Sequence, residues 1–188
     1  MLARQEPIPA APAKTGCAAV ALILAGEGTS LKVCFIKRAD RDGDPWSGNM
    51  ALPGGRTSEE DIDIQSTAER EVEEEVGVKL NHELMIGRLK DLPISRLGID
   101  TGLLLSTFVY YIGPHPTSLV PNDEVAAAFW IDVDHLWDAR NRTHFDIVYR
   151  GQQLTFPAIR YDDNLIWGLT FRVLQLFAEK IGLSLVSQ

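Results

Sequence analysis

The stretch from Arg70 to Val78 reads R-E-V-E-E-E-V-G-V, and as a helix it places Glu71, Glu74 and Glu75 on one side of a single turn. Residues three and four apart on a helix are surface neighbours, so these carboxylates share one small volume. Like charges at that spacing cost a helix roughly 0.2–0.5 kcal/mol per pair. A hard divalent cation among the oxygens would turn the repulsion into ligation. An isolated acidic run is more often a solvated helix face. Here the flanks point the other way. Gly54-Gly55 follows Pro53 directly upstream, a turn that lets backbone approach a ligand closely. Gly77 stands where a helix closes in a left-handed conformation.

The elements that must position this cluster are legible as periodicities. Residues 63–76 read as the helix, with Ile64, Ala68, Val72 and Val76 as its apolar stripe. Cys17–Ala25 and Leu31–Lys37 are β-rich runs joined by Glu27-Gly28, a hairpin signal. Residues 38–47 are polar with Gly43 and Pro45 and read as a loop, and residues 49–52 as a short extended piece. Strands are expected at 83–89, 103–112, 127–131, 145–150 and 154–156. Loops are expected at 93–102 and 114–124, and a short turn at 135–137. A final amphipathic helix is expected over 164–180, carrying Ile166, Leu169, Val173 and Phe177. The order implies a mixed sheet between helices.

The chain has 188 residues, enough for one domain with a substantial core. Residues 1–15, rich in Pro and Ala, read as a loose arm available for a dimer contact, and 16–188 as a single domain. Net charge is −8 with no Lys/Arg block, which argues against a long nucleic acid as partner. Glu6, Pro7, Pro9 and Pro12 interrupt any signal-peptide pattern, and Cys17–Ala25 is too short to span a bilayer. A cytoplasmic protein with no membrane partner is expected, its Cys17 and Cys34 being buried free thiols. His82, His115, His135 and His144 have no metal-ligand spacing.

These residues resemble a Nudix box, G-x5-E-x7-R-E-U-x-E-E-x-G-U, where U is a bulky aliphatic. Gly55 opens it, and Arg70 through Val78 matches its second half without exception. The first half departs: Gly55 to Arg70 is one residue longer than the pattern, and Glu60, Asp61 and Asp63 stand near the expected lone Glu. The resemblance implies an α/β Nudix fold, a mixed sheet sandwiched between helices. It also implies Mg²⁺- or Mn²⁺-dependent hydrolysis of a nucleoside diphosphate linked to another group, with two or more ions per site. Carried over, Glu71, Glu74 and Glu75 bind metal with the Gly55 carbonyl, and Glu74 belongs to the catalytic set. Arg70 orients the carboxylates by an ion pair with Asp61 or Asp63. A Glu outside the box, before a late strand, supplies ligand or base function; Glu124 fits, with Asp123 as competitor.

Two further segments, 44–48 and 166–170, resemble members labelled coenzyme A pyrophosphatases. That signature has an arginine where this chain has Asp44, and a Phe where it has Leu52. An acid there repels the phosphorylated ribose of coenzyme A, so a nucleoside diphosphate sugar or ADP-ribose leads and coenzyme A is the alternative. Arg38 is a candidate for a substrate phosphate and Trp46 for stacking on a base or sugar. Trp167 reads as core. A non-catalytic nucleotide-binding module is disfavoured because no box carboxylate is missing, and an RNA-cap hydrolase is disfavoured by the acidic charge.

Overall fold

The computed structural model describes residues 17–43, 46–96 and 99–185. The N-terminal arm, Asp44 and Pro45 lie outside the described residues. The centre of the fold is β1 (Ala18–Ala25), which pairs antiparallel with β2 (Lys32–Arg38) and parallel with β7 (Ile99–Tyr111). Because it is covered on both faces, β1 is apolar almost throughout, the composition of a strand between two layers. Ala19, Ala21 and Ile23 face one core; Leu22 and Leu24 face the other. The same alternation divides Cys34 and Ile36 from Val33 and Phe35 on β2, and Phe108 and Tyr110 from Leu105 and Val109 on β7.

The sheet is completed by β3 (Met50–Ala51) and β8 (Val125–Asp132) on β2, β4 (Gly54–Arg56) on β1, and β5 (Met85–Arg88) and β6 (Leu92–Arg96) on β7. One face is covered by α1 (Ile64–Val76), whose stripe of Ile64, Ala68, Val72 and Val76 is buried as its spacing predicts. The opposite core takes in α2 (Val133–Trp137) and α3 (Gly168–Lys180) through Leu136, Phe171, Leu174 and Phe177. The expected mixed α/β sandwich is what forms.

Three expectations are corrected. Residues 93–102 are not a loop: β6 pairs with β7 from Leu92↔Leu105 to Arg96↔Ile99. Pro93 is tolerated there because β6 is an edge strand, where a missing N–H costs no ladder bond. The last helix does not begin at Asn164. Residues 164–167 form β11 (Asn164–Trp167), paired with β10 (Gln152–Tyr161), and the chain turns into α3 at Gly168 with φ +61°. Finally, β9 (Arg142–Tyr149), β10 and β11 form a separate three-stranded sheet rather than joining the main one. Arg150 and Gly151, at φ 49° and 77°, make the two-residue turn between β9 and β10. Among the described residues no helix is long and apolar enough to cross a membrane.

Candidate active site

The site is built where α1 lies over β4. Asp63 caps the helix, accepting from the Ser66 N–H at 2.7 Å while the Ser66 hydroxyl meets the Asp63 N–H at 3.0 Å. Gly77, at φ +71°, closes the other end and donates to the Glu73 carbonyl at 3.0 Å. The next orphan carbonyls of the helix are taken by a distant segment. Val120 N–H donates to the Val76 carbonyl at 2.9 Å, and Asn122 N–H to the Glu75 carbonyl at 3.2 Å. The loop that carries Glu124 is thus fastened to the last turn of α1.

Four glutamates of this helix have four different surroundings. Glu75 is buried, and its Oε2 accepts from the Gly54 N–H at 2.8 Å. Burial pushes its carboxyl up to about 8, against the lowering effect of the Gly54 N–H, and the Glu71 carboxylate adds to the rise. Glu71 is half-buried and is also raised, chiefly by desolvation. Glu74 is exposed. Glu73 points elsewhere and pairs with Lys79 at 3.2 Å.

Arg70 stands among these acids. Its Nε and Nη2 donate to the two oxygens of Asp61 at 2.9 and 3.1 Å, a bidentate fork. Its Nη1 reaches Glu71 at 2.9 Å and Glu74 at 3.2 Å, and Nη2 also meets the Arg56 carbonyl at 3.2 Å. The alternative partner, Asp63, is occupied as the helix cap. Arg70 holds Asp61 down to about 2 and is itself raised by that pairing.

Gly55 has its own steric reason. A Cβ there would lie 2.4 Å from the Glu71 carboxyl carbon. Only a bare backbone lets that carboxylate lie against β4. Gly54 is equally constrained: at φ +146° its Cβ would meet the Ala19 carbonyl oxygen at 2.2 Å.

Glu124 precedes β8. Its charge contributes to the rise of both Glu71 and Glu75, so it belongs to the same electrostatic cluster. Its Oε1 accepts from Arg41 Nη1 at 3.1 Å, a pair that sequence reasoning missed. Asp123 is exposed. Arg38 ends β2, half-buried, and lowers Glu75 through its charge. Trp46 is half-buried in the following loop, its carbonyl accepting from Asn49 N–H at 3.2 Å. Trp167 is a packing residue, stacked on Phe145 with ring centroids 4.1 Å apart, and its Nε1 donates to Asn49 Oδ1 at 3.3 Å. Cys34 is buried with its thiol pushed up to about 12, and neither cysteine is in a disulfide.

Among the described residues no three His, Cys, Asp or Glu side chains stand already in a ligating arrangement. Glu71 and Glu74 are engaged by Arg70, and Glu75 by the Gly54 N–H.

An acidic helix laid over a strand that opens with two glycines, in a mixed sheet between helices, defines the fold and site of a Nudix protein. The family model for the NUDIX domain matches residues 15–150, and the chain belongs to that family. An uncharacterized protein of Schizosaccharomyces pombe is 38% identical over 66% of this chain and 39% of its own length. The human mitochondrial coenzyme A diphosphatase NUDT8 is 30% identical over 72% of this chain and 57% of its own length. The chain therefore spans about half the length of these two curated relatives. A MutT/nudix family protein from Enterococcus faecalis shares the fold, with a TM-score of 0.61 at 21% identity over 94% of this chain and 66% of that one.

Proposed function

We propose that this chain is a Mg²⁺- or Mn²⁺-dependent pyrophosphohydrolase that cleaves the diphosphate of a nucleoside diphosphate derivative, with residues 16–188 working as one domain. The observation that carries the reading is the placement of the buried Glu75 and the half-buried Glu71 on one helix turn, Glu75 against the Gly54 N–H and Glu71 against Gly55. A hard cation fits this donor set: carboxylate oxygens on one helix turn, flush against a glycine that leaves room for nothing else. Glu71, Glu74, Glu75 and the Gly55 carbonyl would hold it. When bound, the metal supplies charge neutralisation on the pyrophosphate oxygens and makes a water more acidic.

The chain's own groups do the rest. Arg70 keeps Glu71 and Glu74 oriented. Glu124 accepts the proton of the attacking water as that oxygen bonds to phosphorus and the bridging P–O bond breaks. The products are a nucleoside monophosphate and a second phosphomonoester. Arg38, whose charge reaches Glu75, would meet a substrate phosphate, and Trp46 its base or sugar.

The leading substrates are nucleoside diphosphate sugars and ADP-ribose, because Asp44 stands where a coenzyme A signature has an arginine. Coenzyme A is the second reading, favoured by the name of the human relative. A substrate panel of nucleoside diphosphate sugars, ADP-ribose, coenzyme A and dinucleoside polyphosphates tests both, with released monoester detected by added phosphatase. The lead expects kcat/KM for ADP-ribose or a sugar derivative at least tenfold above coenzyme A, about 1.4 kcal/mol of transition-state binding. A faster reaction with coenzyme A reverses the order, and no cleavage of any member with Mg²⁺ or Mn²⁺ overturns the hydrolase reading.

A further inference from the structure

Between β2 and β3, the described residues on either side of 44 and 45 are joined to one another by hydrogen bonds. The base of this loop is closed by Arg38 N–H to the Asn49 carbonyl at 3.0 Å and by Gly48 N–H to the Arg38 carbonyl at 3.2 Å. Gly48 allows that closure at φ +69°, where a Cβ would lie 3.1 Å from Asp40 Oδ1. Above the base, one hydroxyl secures Arg41 at both of its peptide groups. Ser47 Oγ accepts from the Arg41 N–H at 2.9 Å and donates to the Arg41 carbonyl at 2.9 Å. The Arg41 backbone is thereby fixed inside a loop.

The same loop is joined to Glu124 twice. The β2–β8 ladder ends at Arg38↔Val125, and Ala39 N–H then donates to the Glu124 carbonyl at 2.9 Å. Two residues further on, the Arg41 guanidinium meets the Glu124 carboxylate at 3.1 Å. Glu124 backbone is held from the other side as well, its N–H donating to Asn122 Oδ1 at 2.9 Å. Its side chain, in contrast, is about half exposed and faces the repulsion of Glu71 and Glu75.

We propose that Arg41 is a positioning residue that acts through Glu124, holding its carboxylate beside the Glu71–Glu75 pair, with Ser47 fixing Arg41 for that task. The inference rests on the reading of Glu124 as the base that accepts the water's proton. An exposed ion pair adds little to stability. What this one sets is where a carboxylate stands, and a base must lie within hydrogen-bond reach of its proton. Arg41 carries out on the solvent side what Arg70 does on the helix side, one cation placed against the outward drift of clustered carboxylates.

The test is a double-mutant cycle in the full chain with Mg²⁺, using whichever of ADP-ribose and coenzyme A the wild type cleaves faster. Arg41→Ala should lower kcat about fivefold, the scale of an exposed charged contact, with KM changed less than about twofold. Arg41→Lys should recover most of the rate, and Ser47→Ala should show a smaller loss of the same kind. In a Glu124→Gln background, Arg41→Ala should cost nothing further, because its route of action is gone. A raised KM with unchanged kcat would make Arg41 a substrate contact and overturn the proposal. A fully additive loss, or a gain in rate, overturns it too. If Glu124→Gln alone keeps full kcat, the base reading falls and takes this inference with it. If Glu124→Gln is crippled and Arg41→Ala is not, only the role of Arg41 falls.

Discussion

The Glu71 carboxylate lies against Gly55 so closely that a single added methyl group would sit 2.4 Å from its carboxyl carbon. Gly55→Ala must therefore displace Glu71, the end of a flexible side chain rather than backbone. The expected result is a loss of kcat of about tenfold or more at fixed Mg²⁺, with Tm changed by only a few degrees. Steady-state kinetics beside a thermal melt check it; full activity in the alanine variant would contradict the placement of Glu71 in the site.

Glu75 links metal, pH and stability. Its folded value of about 8 lies above the ordinary 4.5, so between those values the folded protein holds a proton that the unfolded chain releases. The metal-free protein should accordingly be most stable, with respect to this group, below about pH 4.5, losing stability as pH rises to about 8. Glu75→Gln should flatten that decline and raise stability in EDTA at pH 8 by about 1–3 kcal/mol, while lowering kcat by about two orders of magnitude. Denaturant unfolding at several pH values measures the first effect. Equal slopes in the two proteins would refute it.

Asp61 has the opposite sign. Arg70 holds it at about 2, below its ordinary 3.8, so its contribution is complete above about pH 4 and is lost as pH falls through 2. Asp61→Asn removes one partner of a half-buried pair and should cost about 1–2 kcal/mol at neutral pH. It also releases the Arg70 fork onto Glu71 and Glu74, so the Mg²⁺ concentration needed for half-maximal rate should rise. Urea unfolding and a Mg²⁺ titration of activity read these separately; a variant unchanged in both would remove the organising role of the pair.

The competition between Glu124 and Asp123 has a clear expected ordering. Glu124→Gln should cut kcat about 100-fold with a smaller effect on KM, and Asp123→Asn should be mild. The Glu124 charge is felt by Glu71 and Glu75, and its carboxylate is gripped by Arg41. The reverse ordering would transfer the role.

The helix α1 is legible because its apolar spacing, cap and terminal glycine all agree. Gly54 and Gly55 read as a turn in the sequence but form strand β4, and the 2.8 Å contact from Gly54 N–H to Glu75 depends on β4 packing under α1 and has no sequence signal. The choice between Asp61 and Asp63 stayed open because both are near Arg70; the helix cap settles it by engaging Asp63. Residues 164–167 were read as helix because Ile166 continues the stripe of Leu169, Val173 and Phe177. In the fold Ile166 is buried from a strand instead, in the same core as Phe177. Pro93 and Gly102 concealed β6 and the first part of β7, since punctuating residues on an edge hairpin look like those of a loop.

The bonds from Val120 and Asn122 to the last carbonyls of α1 make two chain segments share one opening event. Val120 is largely exposed, so its side chain contributes little to keeping that segment in place. Its amide should nevertheless resist exchange with deuterated solvent for as long as the terminal turn of the helix does. The loop bearing Glu124 is in that sense an annex of α1, and a substrate that tightens one will slow solvent exchange in the other.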